Sequence, residues 1–465
     1  MLLRQLHDPG LAQYAYLIGC PASGQALILD PERDVDRYLG IARSEGLELV
    51  TAAETHVHAD FLSGTRELAA RGCRAYVSGE GGEAWSYRWP DADHAEVVRL
   101  RDGDSLQVGR VELTAVHTPG HTPEHLCFLV TDRGRGADHP MGIASGDFVF
   151  VGSLGRPDLL DTATGRTDAM HPAAEDLHAS LDRLDALEDW VQVWPGHGAG
   201  SACGKGLGAV PGSTLGYERR YNVGLEAARR GREAFVREML SGQPDPPLYF
   251  ARMKRLNRDG PPILGELPVP GRLTAAEVLS LADGGAQVLD ARADRLAFMA
   301  AHVPGSLYAS LERDFGAVAG SYLDPGRPVV LVADAEAVDA AVRSLVRVGI
   351  DRVTGWAPPE ALEELGRRGS LASIRTASPS ALGDLAASGA VIVDVRRSDE
   401  YRAGHVPGAL LAPHVRLPEH LPRFPDDRPL AVHCRTGARA ASAAAYLAST
   451  GRDAVYVDGA FANWA

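Results

Sequence analysis

Two stretches in the C-terminal half repeat each other, and this repeat limits the possible folds more than any other feature of the chain. VLDARADRLAFMAAHVPGSL (288–307) matches VDVRRSDEYRAGHVPGAL (393–410), with His302 opposite His405 at an offset of 405 − 302 = 103. RPVVLVADA (327–335) matches RPLAVHCRT (428–436) at an offset of 101, and RVTG (352–355) matches YVDG (456–459) at 104. Offsets this steady over about one hundred residues, the usual size of a domain, indicate two copies of one α/β module separated by small loop insertions. The copies occupy 271–369 and 373–465. With 465 residues in all, the chain needs further cores, and its first half is expected to fold separately.

Composition bounds the function. The chain is 45% apolar and 23% charged, as in ordinary globular proteins. Its net charge of −14 argues against nucleic acid or an anionic membrane as partner, because phosphate binding needs a basic face. The opening MLLRQLHDPGLAQYAYLIGC lacks the pattern of a secretory leader. No apolar run reaches the about eighteen residues of a membrane span. Five scattered cysteines (Cys20, Cys73, Cys127, Cys203, Cys434) suit reduced thiols in a cytoplasmic protein better than a disulfide framework.

In the first half, QALILD (25–30), LELVTAAETH (47–56), VELTAVH (111–117), EHLCFLV (124–130) and WVQVW (190–194) read as strands, and DVDRYLGIARSEG (34–46) as a helix. Three of these strands run directly into histidine clusters: Thr55-His56-Val57-His58, Pro119-Gly120-His121 and Pro195-Gly196-His197. Polar groups at the ends of buried strands are where α/β folds carry chemistry. His56, His58, Asp60, His121, Asp147 and His197 form a set of nitrogen and oxygen donors suited to zinc or iron. Residues 241–270, rich in proline and glycine and without sustained periodicity, read as a linker or a strap packed on the first domain.

The motifs THVHAD, HTPGHT, SGD and PGHG, in that order, resemble the metallo-β-lactamase fold, an αββα sandwich, over residues 1–240. Hydrolytic members of that superfamily, such as glyoxalase II, follow the first motif's aspartate with a histidine that helps hold a second zinc. Here Phe61 stands in its place and has no lone pair to give. The departure points to one metal and to the persulfide dioxygenase branch. That resemblance implies one Fe(II) per N-terminal domain, held by His56, His121 and Asp147. Positions stay open for the sulfur of a small-molecule thiol persulfide and for O₂. It also implies that His58, Asp60 and His197 flank the ligands, fixing their orientation or hydrogen-bonding substrate. Arg156, in SLGRPDL, is expected near the pocket, its charge offsetting an anionic persulfide. Cys203, six residues past His197 in a glycine-rich loop, is placed to reach the pocket and accept or pass a sulfur atom.

Cys434 follows the strand RPLAVH and precedes an alanine-rich helix. A cysteine at such a turn receives backbone N–H groups and the positive end of the helix dipole, and Arg435 and Arg439 add charge; all three favour thiolate. Phosphatases that use a cysteinyl nucleophile place their arginine six positions on, whereas 439 − 434 = 5. The tighter loop resembles rhodanese, with Cys434 as nucleophile and Arg435, Gly437 and Arg439 shaping the cradle. In the first copy Ala333 and Asp334 replace Cys434 and Arg435, so the module 271–369 is expected to be catalytically silent.

The whole resembles persulfide dioxygenase–rhodanese fusions: an α/β multidomain chain with an N-terminal αββα metallo-β-lactamase sandwich followed by two α/β rhodanese-like modules. The resemblance implies oxidation of a thiol persulfide to sulfite, coupled to a sulfurtransferase that makes or uses thiosulfate, in a homo-oligomer. The rival expectations are a glyoxalase II-like zinc thioester hydrolase with a sulfurtransferase tail, and a non-catalytic persulfide carrier.

Overall fold

The structure is a computed structural model that describes residues 1–93, 96–159, 169–312 and 314–461. The chain divides into two compact units, Met1–Gln243 with Phe250–Gly265, and Pro244–Tyr249 with Glu266–Ala465.

The first unit holds two six-stranded sheets. One runs in the order β1 (Leu2–Asp8), β2 (Gln13–Cys20), β3 (Gln25–Leu29), β4 (Glu48–Ala53), β5 (Arg74–Ser78), β6 (Val97–Leu100). The other runs β12 (Ser213–Thr214), β11 (Gln192–Pro195), β10 (Gly142–Gly146), β9 (Leu126–Asp132), β8 (Val111–His117), β7 (Ser105–Val108). Ile18, Leu27 and Leu29 of the first sheet share a core with Leu113, Phe128 and Val130 of the second, so the sheets pack face to face. The helix Asp36–Ser44 sets Tyr38 and Ala42 against Leu17 and Ile28 on one outer face. The helix Met170–Ser180 sets Leu177 against Ile143 and Val193 on the other. The layers are therefore αββα. Coverage on both faces explains why every residue of β2 (QYAYLIGC) is buried and the strand shows no alternation.

Within 241–270, the stretch without visible periodicity contains a helix, Phe250–Asp259. Its buried stripe is Phe250, Met253, Lys254 and Asn257, the i, i+3, i+4, i+7 pattern of a packed face. Two of the four are polar, so the stripe does not show in hydrophobic spacing. The strap helix grips the loop after β4: Asn257 Nδ2 donates to His58 O (2.9 Å) and Phe61 O (2.7 Å), and its Oδ1 accepts from Ser63 N (2.9 Å).

The second unit holds two wholly parallel five-stranded sheets. Their orders are β13 (Gly271–Arg272), β17 (Val353–Ala357), β16 (Val329–Val332), β14 (Gln287–Asp290), β15 (Leu307–Tyr308), and β18 (Arg375–Ala377), β22 (Ala454–Val457), β21 (Leu430–His433), β19 (Val391–Asp394), β20 (Leu410–Leu411). Strand for strand the orders are the same. The repeated side chains do the same work in each copy. Arg292 is bound by Asp290 and reaches Ala301 O, as Arg396 is bound by Asp394 and reaches Gly404 O. His302 donates to Phe298 O, as His405 donates to Tyr401 O. Among the described residues no helix is long and apolar enough to cross a membrane.

Candidate active site

Four strands of the first unit deliver the donors. β4 leads to His56, β8 to His121, β10 to Asp147 and β11 to His197, and all four side chains are at least 99% buried. Ligand atoms of His56, His121 and Asp147 all lie within 4.8 Å of one another. Second contacts orient each of them. Asp30, at the end of β3, accepts from Thr55 N (2.7 Å) and Thr55 Oγ1 (2.9 Å). That hydroxyl takes the Nδ1–H of His56 at 2.9 Å, which leaves Nε2 with its lone pair. His121 Nδ1 donates to Arg156 O (2.9 Å). Asp147 N donates to His125 Nε2 (3.0 Å), and His125 Nδ1 is tied to Thr118 Oγ1 (2.9 Å). His121 Nε2 and Asp147 Oδ2 sit 3.5 Å apart, buried, and neither has a hydrogen-bond partner among the described residues. Buried polar atoms without partners are costly unless something else binds them.

Electrostatics separate the histidines into two kinds. Burial, then the neighbouring rings, holds His56 well below the ordinary imidazole range, and burial brings His121 down to about 4. Both are neutral donors at neutral pH. Burial would lower His58 as well, but Asp30, 3.2 Å from its Nε2, together with Glu54 and Asp60 outweighs it and raises it to about 9. His197 is likewise raised well above its ordinary value because Asp147 Oδ1 and Asp60 Oδ2 each hold one of its ring nitrogens at 2.8 Å. Burial opposes ionisation of Asp147, yet the His197 ring keeps its carboxyl far below the usual range.

Phe61 is fully buried and stacks on His58, with ring centroids 4.4 Å apart. Asp60, His197 and Cys203 make a second close group. Burial pushes the Cys203 thiol well above its ordinary value, so it stands there as a thiol rather than a thiolate. Arg156 is buried rather than on a surface loop. Its guanidinium is taken up by Asp158 (2.9 and 2.7 Å) and by Ala202 O (2.7 Å), so its charge is already offset. Four participants escaped the sequence reading: Asp30, His125, Lys254 and Asn257. Lys254, lowered to about 8 by burial against the pull of Glu124, donates to Leu159 O at 3.4 Å.

In the second unit Cys434 is 2% exposed at the end of β21, and Gly437 N donates to its Sγ at 3.1 Å. Gly437 has φ +95°, and a Cβ there would meet Asp458 Oδ1 at 2.5 Å and Tyr456 Oη at 2.7 Å, so only glycine fits. The Arg439 guanidinium is held by both carboxylate oxygens of Glu400 (2.5 and 2.9 Å), while Arg435 is exposed. In the first copy Ala333 is buried at the matching position and offers no thiol.

The description "Metallo-beta-lactamase superfamily" matches residues 8–197, and "Rhodanese-like domain" matches residues 378–465. The persulfide dioxygenase ETHE1 of Bos taurus is 30% identical over 42% of this chain and 68% of its own length. A hydroxyacylglutathione hydrolase of Rhodospirillum rubrum is 29% identical over 40% of this chain and 61% of its length. Among solved structures, a metallo-beta-lactamase from Staphylococcus aureus subsp. aureus COL is 36% identical with a TM-score of 0.67, covering 77% of this chain and 99% of that one. The chain belongs to the metallo-beta-lactamase superfamily, as a fusion of an ETHE1-like domain with a C-terminal rhodanese-like domain.

Proposed function

We propose that the chain is a persulfide dioxygenase coupled to a sulfurtransferase. Residues 1–240 oxidise a low-molecular-weight thiol persulfide with O₂, the module 373–465 transfers sulfane sulfur on Cys434, and the module 271–369 is catalytically silent. The first reaction balances as RSSH + O₂ + H₂O → RSH + H₂SO₃. In the second, sulfite attacks the outer sulfur of persulfidated Cys434, the Cys434 S–S bond breaks, and thiosulfate leaves with the thiolate restored; the reverse loads Cys434 from thiosulfate.

One observation carries the reading. Two neutral imidazoles and one carboxylate converge, and two of their atoms, His121 Nε2 and Asp147 Oδ2, are buried without a hydrogen-bond partner among the described residues. This donor set fits a single Fe(II). The other candidate donors are engaged: His58 by Asp30, and His197 by Asp147 and Asp60. When bound, Fe(II) supplies the one-electron steps that O₂ requires and that zinc cannot. The chain's own residues do the rest. Asp30 and Thr55 fix the His56 ring, and the Arg156 carbonyl fixes His121. His125 fixes the backbone of Asp147, and His197 holds the remaining carboxylate oxygen. The fully buried Phe61 keeps water from the position beside them.

The test is sulfite release from glutathione persulfide by the full chain. Release in air but not under argon, and its loss in His121→Ala, support the proposal. Thioester hydrolysis independent of oxygen would favour the hydrolase. Loading of Cys434 without turnover would leave only a carrier.

A further inference from the structure

The silent module holds one arginine against the reactive loop of the other. Arg295 opens the helix Arg295–Ala300, whose N-cap Asp294 accepts from Leu296 N (2.9 Å) and Ala297 N (3.0 Å). Its guanidinium reaches the second copy. Nη2 donates to Thr436 O at 3.2 Å and to Asp458 Oδ1 at 2.9 Å, and Nε donates to the same oxygen at 3.1 Å. That carboxylate oxygen also accepts from Tyr456 Oη at 2.6 Å.

The Thr436 carbonyl and the Gly437 N–H belong to one peptide group, and in a trans peptide they point in opposite directions. Arg295 holds the carbonyl from behind, and the N–H on the other side points at Cys434 Sγ at 3.1 Å. A cation on the carbonyl polarises the group and makes its N–H a stronger donor to an anionic sulfur. The repeat does not account for this arginine. Its counterpart in the last module is Ser398 (398 − 295 = 103), which bonds Asp245 instead.

We propose that Arg295 is a positioning residue for sulfur transfer at Cys434, so that the module without a thiol completes the cradle of the module that has one. The inference rests on the reading of Cys434 as nucleophile. In the loading step, the Cys434 thiolate attacks the outer sulfur of thiosulfate, a Cys434 S–S bond forms, and the sulfur–sulfonate bond breaks with its electron pair leaving on sulfite. The Gly437 N–H stabilises the thiolate before attack and the persulfide anion after it.

The experiment uses the full chain, with thiosulfate as donor and cyanide as acceptor, and follows iodoacetamide alkylation of the Cys434 peptide by mass spectrometry at one fixed pH. Removing one charge-assisted contact from a partly exposed side chain is expected to cost about tenfold. Arg295→Ala should therefore lower kcat for sulfur transfer about tenfold and slow alkylation of Cys434 in parallel. Arg295→Lys should restore part of both, and persulfide-dependent oxygen uptake should stay at the wild-type rate. Unchanged transfer in Arg295→Ala overturns the proposal. So does slower transfer with faster alkylation, because that pattern means the loop has merely loosened around a buried thiol. A wild-type chain inert toward thiosulfate overturns the reading of Cys434 itself, and the inference with it.

Discussion

Phe61 stacks on His58 at a centroid distance of 4.4 Å and an interplanar angle of 29°, in the place where a second metal would need a ligand. The contact pairs an apolar ring with an imidazole that Asp30 keeps charged, a favourable arrangement when buried. Phe61→His removes the ring and adds a donor next to Asp60 and His197. Bound metal in reconstitution with excess zinc, read by mass spectrometry, should rise above one equivalent per chain, and persulfide-dependent oxygen uptake should fall. An unchanged stoichiometry would mean that Phe61 is not what closes the position.

Asn257 ties the strap helix to three backbone groups of the His58–Ser63 loop. Asn257→Ala leaves buried polar atoms without partners, at a cost of roughly 1–3 kcal/mol for such a change. The unfolding free energy of the first unit, read from urea titration, should fall by that amount and the midpoint should move to lower urea. Iron should also dissociate faster, because the loop that bears His56 loses its anchor.

At Gly437 the backbone is left-handed, and the space for a side chain is taken by Asp458 and Tyr456. Gly437→Ala incurs about 1–2 kcal/mol from backbone strain alone. It also turns the N–H away from Cys434. Sulfurtransfer should drop by at least an order of magnitude while oxygen uptake stays intact, since the first unit is untouched.

Glu400 gives an acid signature. Burial alone would raise its carboxyl, but Arg439 draws it down to about 2 from its ordinary 4.5. Because the folded value is the lower one, the pair's contribution to stability is complete above about pH 4.5. It is lost as pH falls toward 2. Acid unfolding of the second unit should therefore be steeper in wild type than in Glu400→Gln, which lacks the titrating group. Parallel curves for the two proteins would contradict the assignment.

Much of this architecture can be read in the chain because its signals are local or repeated. Buried strands that lead to His56, His121 and His197 announce a site, and matched words such as HVPGSL and HVPGAL announce a repeated module. The missed residues lack both kinds of signal. Asp30 looks like any acid that ends a strand, and His125 like the polar start of one. Lys254 and Asn257 lie on a helix whose buried stripe is half polar, about sixty residues beyond the last metal-site motif. Arg156 is expected to offset an anionic persulfide, and its pairing with Asp158 depends on a buried loop that spacing does not report. The Arg295–Thr436 contact joins residues 141 apart and breaks the pattern of the repeat, so only the folded chain reveals it.

The most direct test is metal quantitation on the full chain purified without oxygen, followed on the same sample by an oxygen-electrode assay with a small-molecule persulfide. The expected result is close to one iron per chain, with oxygen uptake that starts on persulfide addition and disappears in His121→Ala and Asp147→Asn. Two zinc ions per chain with thioester turnover and no oxygen uptake would contradict the assignment of His56, His121 and Asp147 to a single redox-active centre.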